Sequence, residues 1–288
     1  MFFSGSGSDP RKTSVRRLPE ICCQAAGGDP GLAGPVSAAW LIFNRAAHIM
    51  DSVQDGDPPE PWWDQRGPGY ALNVASTFYF TASKILDELE GYGIASRSAG
   101  AIRSTFSRRL IQMCEGQHLD LTTSRAALDD YWRIANLKSG LFFAIGCRSG
   151  AELAIDEIKR LDGFEVYGKE IGILIQLLDD LEEFQIDPVS GRPSLVLSEK
   201  NLSLPLSYAY SMLPDDQQLQ LSENIAQSKF DSNAVQSVLT MLDHIGVASY
   251  MELEIARHAS LALDGLGQAR PIETVRGILE DLVNMLIN

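Results

Sequence analysis

Apolar residues recur at mixed intervals of three and four along Val36 to Met50, Asn73 to Leu89, Ala101 to Cys114, Asp129 to Cys147, Phe164 to Leu181 and Ser203 to Met212. That is the period of a helix that buries a face. Alternating strand-like runs bounded by turn dipeptides are scarce. The breakers fall between the periodic segments: Gly-Gly-Asp-Pro at 27–30, a Pro/Gly/Trp-rich stretch at 56–69, Asp-Pro with Ser-Gly-Arg-Pro at 187–193, and Leu-Pro-Asp-Asp at 213–216. The pattern predicts an all-α chain of roughly ten or more helices. Composition does not shift along it and no repeat of fixed period occurs, so residues 15–288 are expected to form one domain behind a flexible tail at 1–14. Segments 129–147 and 164–181 are apolar nearly all round, which places them centrally.

The 288 residues include 45% hydrophobic side chains, enough for a sizeable core. A net charge of −14 with no basic stripe argues against nucleic acid. It would also repel an anionic substrate, so a phosphate ligand would need a metal and locally placed lysines. Four cysteines, two of them the adjacent pair Cys22-Cys23, show neither disulfide-framework nor metal-ligand spacing, and a reducing cytoplasm is the simplest setting. The apolar run Ile171 to Leu178 is too short to span a bilayer, so no integral membrane association is expected.

Two acidic clusters carry the chemistry. Asp51-Ser52-Val53-Gln54-Asp55 and Asp179-Asp180-Leu181-Glu182-Glu183 each close an apolar run, with acids at i and i+4 on one helical face. Such pairs repel one another, and the cost rises beside buried apolar surface. A cation between them relieves it, and hard oxygen donors favour Mg²⁺. Other polar residues sit inside apolar helices: Gln117 and Asp120 at the end of one, Lys138-Ser139-Gly140 interrupting another, Gln176 three residues before Asp179, and Lys200 ahead of Leu204-Pro205.

In this order, Gly-Gly-Asp-Pro, the first acidic cluster, Ala71-Leu72-Asn73, Gly-Gln-x-Leu-Asp at 116–120, Lys-Ser-Gly at 138–140, Gln-x-x-Asp-Asp at 176–180 and Lys-x-x-x-Leu-Pro at 200–205 resemble the trans-isoprenyl diphosphate synthase (polyprenyl synthetase) family over nearly the whole chain. The resemblance implies a class I isoprenoid-synthase bundle around a central cavity, working as a homodimer on a prenyl diphosphate. It implies three Mg²⁺ between the clusters, with Asp51 and Asp55 holding two and Asp179 the third. Asp180 and Glu183 complete that metal set in support. Lys138 and Lys200 would meet the departing diphosphate, and Gln176 would orient the reacting centre. The cation needs a dry pocket, for which Phe43, Phe78, Phe80, Phe142 and Phe143 are the aromatic candidates. Asn44, Ala46, Ala47, Gln117 and Asp120 complete the candidate lining.

The departures from the family pattern concern the second substrate. Ser52 stands where the family's first cluster carries an aspartate. The family's Arg-Arg-Gly after that cluster is replaced by Asp57-Pro58-Pro59-Glu60-Pro61-Trp62-Trp63, and its N-terminal basic motif is reduced to Arg16-Arg17-Leu18-Pro19. Asn44 stands where that pattern has His or Gln. In the family the second of those arginines, the N-terminal motif and the His or Gln position grip isopentenyl diphosphate, while the first arginine meets the allylic diphosphate. Such charged hydrogen bonds are worth about 1.5–3 kcal/mol each. The leading expectation is therefore a terpene cyclase or diphosphate lyase that dispenses with isopentenyl diphosphate. The alternatives are a chain-elongating prenyl diphosphate synthase in which Arg16, Arg17 or Arg66 takes over, a transferase to a non-isoprenoid acceptor, and a non-catalytic subunit of a heteromeric synthase. Trp62-Trp63 either cap the cavity or fill the loop.

Overall fold

A computed structural model describes residues 14–123, 127–183, 203–228 and 231–287. Among them twelve α-helices and no strand occur: α1 (Leu18–Ala25), α2 (Gly34–Asp55), α3 (Pro68–Asp87), α4 (Ser96–Thr122), α5 (Leu128–Ala135), α6 (Leu141–Glu152), α7 (Ile158–Glu183), α8 (Leu204–Met212), α9 (Asp215–Ser228), α10 (Ser232–His244), α11 (Val247–Ala269) and α12 (Glu273–Ile287). Proline stands in the first turn of α1, α2, α3 and α8. Its missing N–H is no loss there, and its fixed φ suits the helix start. The side chain of Asp231 caps α10 by accepting from the Asn233 N–H at 2.8 Å.

The helix α7 runs through the middle, with α6 packed on it from one direction and α11 from another, while α2 and α3 pair alongside. Ile171, Leu174 and Leu177 of α7 are fully buried, as its unbroken apolar run predicts. The main core gathers Trp40 and Phe43 of α2, Phe106 of α4, Phe142 and Phe143 of α6, and Phe164 and Tyr167 of α7. Trp40 fixes α2 to α6 in two ways: its ring stacks on Phe142 at 4.7 Å, and its indole N–H donates to the Phe142 carbonyl at 2.8 Å. A second core joins Tyr131, Ile173 and Leu177 to α8 through α11. Within the bundle, His258 Nδ1 of α11 meets Glu170 Oε2 of α7 at 2.5 Å, so these two buried side chains partner each other.

One expected helix is three elements. The segment 129–147 forms α5, then a π-helical turn over Asn136–Gly140, then α6. A π turn inserts one extra residue into a helix, a distortion common at functional sites. Two glycines let it sit between neighbours. A Cβ on Gly116 of α4 would lie 2.7 Å from the Leu137 Cβ, and one on Gly172 of α7 would lie 2.3 Å from the Ser139 carbonyl oxygen. Both approaches exclude any larger residue. The turn is thereby held between α4 and α7.

Candidate active site

The π turn is the centre of the site because two adjacent residues on it reach in different directions. Lys138 Nζ donates to Asp51 Oδ1 at 3.0 Å and also to Asp120 Oδ2. It thus joins the end of α2 to the end of α4. Ser139 Oγ donates to Gln176 Oε1 at 2.9 Å, and Gln176 Nε2 donates to Asp180 Oδ1 at 2.8 Å. The two acidic clusters, far apart in sequence, are therefore connected through one turn of backbone.

The first wall is electrostatically tense. Burial, and then the charge of Asp51, push Asp55 up to about 6, while Lys138 pulls against that shift. Burial alone would lower Lys138, but Asp51 and Asp120 more than offset it and hold the ammonium above the ordinary lysine value. Gln117 Nε2 donates to Gln54 Oε1 at 3.0 Å, bridging the ends of α4 and α2 beside this group.

The second wall is different. Asp180 is only 3% exposed. Besides Gln176, it accepts from the Tyr131 hydroxyl at 2.7 Å and from the Leu204 backbone N–H at 2.8 Å, both at Oδ2. Its carboxylate thus ties α5, α7 and the start of α8 together. Asp179 is half-buried on α7. Glu183 is the last residue of that helix, and its side chain lies outside the described set, as does the whole of Lys200.

Among the described residues no three acidic, histidine or cysteine side chains gather closely enough to form a metal cage. The donor set still fits Mg²⁺, which takes one or two carboxylates, keeps several waters, and completes its shell with substrate phosphate oxygens. Asp51 and Asp55 would supply hard oxygens, and Lys138 already places positive charge between Asp51 and Asp120.

The expected pocket residues separate. Phe43 and Phe142 are buried in the core, Phe43 against Tyr79 and Phe106, and Phe142 against Trp40 and Phe143. Phe78 is half-buried on a small cluster with Ile49, Trp63, Ala71 and Ala75. Ala46 is fully buried, and Ala47 and Asn44 are half-buried on α2. Phe80 is corrected: at 75% exposure it lies on the surface, because its position on α3 faces away from α2 and the core. Trp63 fills the loop after α2 by packing into that small cluster, with Trp62 half-buried beside it. Of the arginines considered as replacements, Arg66 donates to the Tyr70 hydroxyl at 2.8 Å, Arg17 pairs with Glu20 at 2.9 Å, and Arg16 is half-buried.

Sequence reasoning missed Tyr131, the Leu204 N–H, Gln54 and an ion pair in which Arg45 Nη2 meets both carboxylate oxygens of Glu60. Arg45 had a signal, as an arginine inside an otherwise apolar helix six residues before Asp51. The others become site residues only through tertiary contact.

Residues 58–242 match the polyprenyl synthetase family, and the chain belongs to it. The matched stretch holds the second acidic cluster and the Lys-Ser-Gly turn and begins just past Asp55. A geranylgeranyl diphosphate synthase of Mycobacterium tuberculosis is 30% identical over 191 residues, covering 63% of this chain and 53% of that protein. The tryptophan prenyltransferase ComQ of Bacillus subtilis subsp. natto is 27% identical over 135 residues, covering 47% and 40%. The chain spans about half the length of these curated relatives. A polyprenyl synthetase from Streptomyces coelicolor superposes with a TM-score of 0.83 at 20% identity, over 99% of this chain and 86% of that one. A geranylgeranyl pyrophosphate synthetase from Pyrococcus horikoshii gives 0.81 at 18% identity, over 96% and 86%. These likenesses establish the all-α polyprenyl synthase fold. Among the described residues no helix is long and apolar enough to cross a membrane.

Proposed function

We propose that this chain is a Mg²⁺-dependent prenyltransferase that ionises an allylic prenyl diphosphate and passes the prenyl group to an acceptor. The observation that carries the reading is the junction at the π turn, where Lys138 lies between Asp51 and Asp120 while the next residue, Ser139, leads through Gln176 to the second cluster. Bound Mg²⁺ would neutralise the charge that develops on the leaving diphosphate. Lys138 stands ready to donate to a diphosphate oxygen, and its half-buried position makes that contact stronger than it would be in water. Gln176, fixed at both ends of its amide, keeps the α7 side of the cleft in register. The core behind α2, α4 and α6 excludes water from this side of the cleft.

Transfer is preferred to the cyclisation that the sequence alone favoured, because the similar proteins are named for prenyl diphosphate synthesis or, once, for tryptophan prenylation. Chain elongation is the form that most of these names support. Cyclisation stands second, on the absence of the family's arginine pair after Asp55. Homodimerisation belongs to the same proposal. The test is diphosphate release from C10, C15 and C20 allylic diphosphates with Mg²⁺, with and without isopentenyl diphosphate. Lys138→Ala is expected to lower release by about 100-fold or more in protein that still melts cooperatively, although loss of the shared cation lowers the midpoint. Hydrocarbon products formed at full rate without any acceptor would favour cyclisation. No release from any donor would remove the whole reading.

A further inference from the structure

The loop after α2 does more than close a gap. It folds back along the helix so that Glu60 accepts from Arg45 Nη2 with both carboxylate oxygens at 2.8 Å. The pair is reachable by a solute, with side chains 40% and 39% exposed. One turn further along α2, His48 has Arg45, Glu60 and Asp51 together as its charged neighbours. Arg45 itself precedes Asp51 by six residues on α2, which is about 9 Å along the helix axis. Burial and Arg45 keep the His48 imidazole below its usual range, despite the opposing pull of the two carboxylates. Glu60 is held low chiefly by Arg45, and the Trp62 indole is close enough to help. That indole N–H is buried and makes no hydrogen bond. Its ring packs on Trp63 at 6.4 Å and Tyr70 at 6.1 Å, and Arg66 is docked over the Tyr70 ring.

The patch thus presents an ion pair of no net charge beside an aromatic wall of Trp62, Trp63 and Tyr70. A second diphosphate would have to separate Arg45 from Glu60 and then lie next to that carboxylate. A flat, uncharged molecule with an N–H meets a better fit. Its ring can lie against Trp62, and its N–H can use a lone pair that Glu60 still has free.

Resting on the transfer reading above, we propose that the Arg45–Glu60–Trp62 patch is the acceptor half of the site and takes an uncharged aromatic nucleophile of the indole class. In that reaction the C1–O bond of the allylic diphosphate breaks and its electrons leave with the diphosphate. A ring carbon of the acceptor bonds to C1, and the proton it sheds goes to the released diphosphate. No oxidant or further reactant is needed.

The experiment gives the full chain, with Mg²⁺ and C10, C15 or C20 allylic diphosphate, either indole or isopentenyl diphosphate as acceptor. Diphosphate release and prenylated products are read by mass spectrometry. Prenylated indole is expected. Glu60→Gln, which keeps the size of the side chain but not its charge, is expected to raise the indole concentration for half-maximal transfer at least tenfold. The same variant leaves Arg45 without its counter-ion and is expected to tighten isopentenyl diphosphate binding, a gain that mere loop damage would not produce. Elongated diphosphate with no prenylated indole, or a Glu60→Gln variant unchanged toward both acceptors, overturns the proposal. Absence of diphosphate release under every condition instead removes the transfer reading, and this one with it.

Discussion

Asp180 and Asp55 are acids of the two clusters of the proposed site, and the fold treats them in opposite ways. Asp180 is the more deeply buried, yet three donors from Tyr131, Gln176 and Leu204 converge on it. Asp55 is more open, and burial and the like charge of Asp51 push it up to about 6. A carboxylate whose desolvation is met by fixed donors has little left to offer a ligand. One raised first by burial and then by another carboxylate, with Lys138 offsetting only part of that, gains when a further cation arrives. On the proposed function, the contrast assigns Asp180 to building the site and Asp55 to holding the cation.

The largest effect that could break this contrast comes from truncating the buried member. Asp180→Ala leaves a tyrosine hydroxyl, an amide and the first N–H of α8 without their shared acceptor. It is expected to cost about 3–5 kcal/mol of stability, seen as a fall of roughly 10 °C in the thermal midpoint. Asp179→Ala, on a half-buried neighbour, is expected to change stability by about 1 kcal/mol or less. Equal losses in a melting experiment would mean that the two adjacent acids share the structural duty.

The next effect concerns pH. The carboxyl of Asp55 is raised in the fold from 3.8 to about 6, the reverse of a salt-bridged acid. Between those values the folded state keeps a proton that the unfolded state has lost, so this group makes stability fall as pH rises from about 4 to about 6. Cation binding must displace the same proton. The Mg²⁺ concentration for half-maximal diphosphate release is therefore expected to climb about tenfold per pH unit below about 6. Asp55→Asn should flatten both dependences. A Mg²⁺ requirement that is level from pH 5 to 7 in the parent chain would assign the unmet charge elsewhere.

Much of the bundle was legible because burial of a helical face imposes its period on the sequence. Each of the six periodic segments lies on helical structure, and α2 ends one residue before Gly56. Beyond Met212 no segment was delimited, although α9 to α12 follow. In α9 the reason is physical, since only Leu221 and Ile225 are buried and the stripe is thin. The π turn was hidden because one extra residue in a turn barely alters an apolar run. The division between Asp179 and Asp180 was hidden for another reason. Adjacent helical acids point about 100° apart, and which one turns inward is decided by Tyr131 and Leu204, at separations of 49 and 24 residues. The pairing of Glu60 with Arg45 across 15 residues likewise depends on how the loop folds back. Sequence spacing could nominate the acids but could not say which would meet donors.

The smallest test is the sharpest, because it leaves Asp180 in place and removes one of its donors. Tyr131→Phe deletes the hydroxyl that reaches Oδ2 and keeps the ring in its packed position beside Trp132. Gln176 and the Leu204 N–H still hold the carboxylate, so the expected loss is about 1–2 kcal/mol, measurable by denaturant titration. If Asp180 is a building acid, the Mg²⁺ dependence of diphosphate release should stay where it was, since the freed lone pair faces α5 and the start of α8. If Asp180 instead contributes to the metal, loss of a competing donor should make it a better ligand, and the half-saturating Mg²⁺ concentration should fall. Stability and metal requirement move together only in the second case, so one variant read two ways distinguishes the roles.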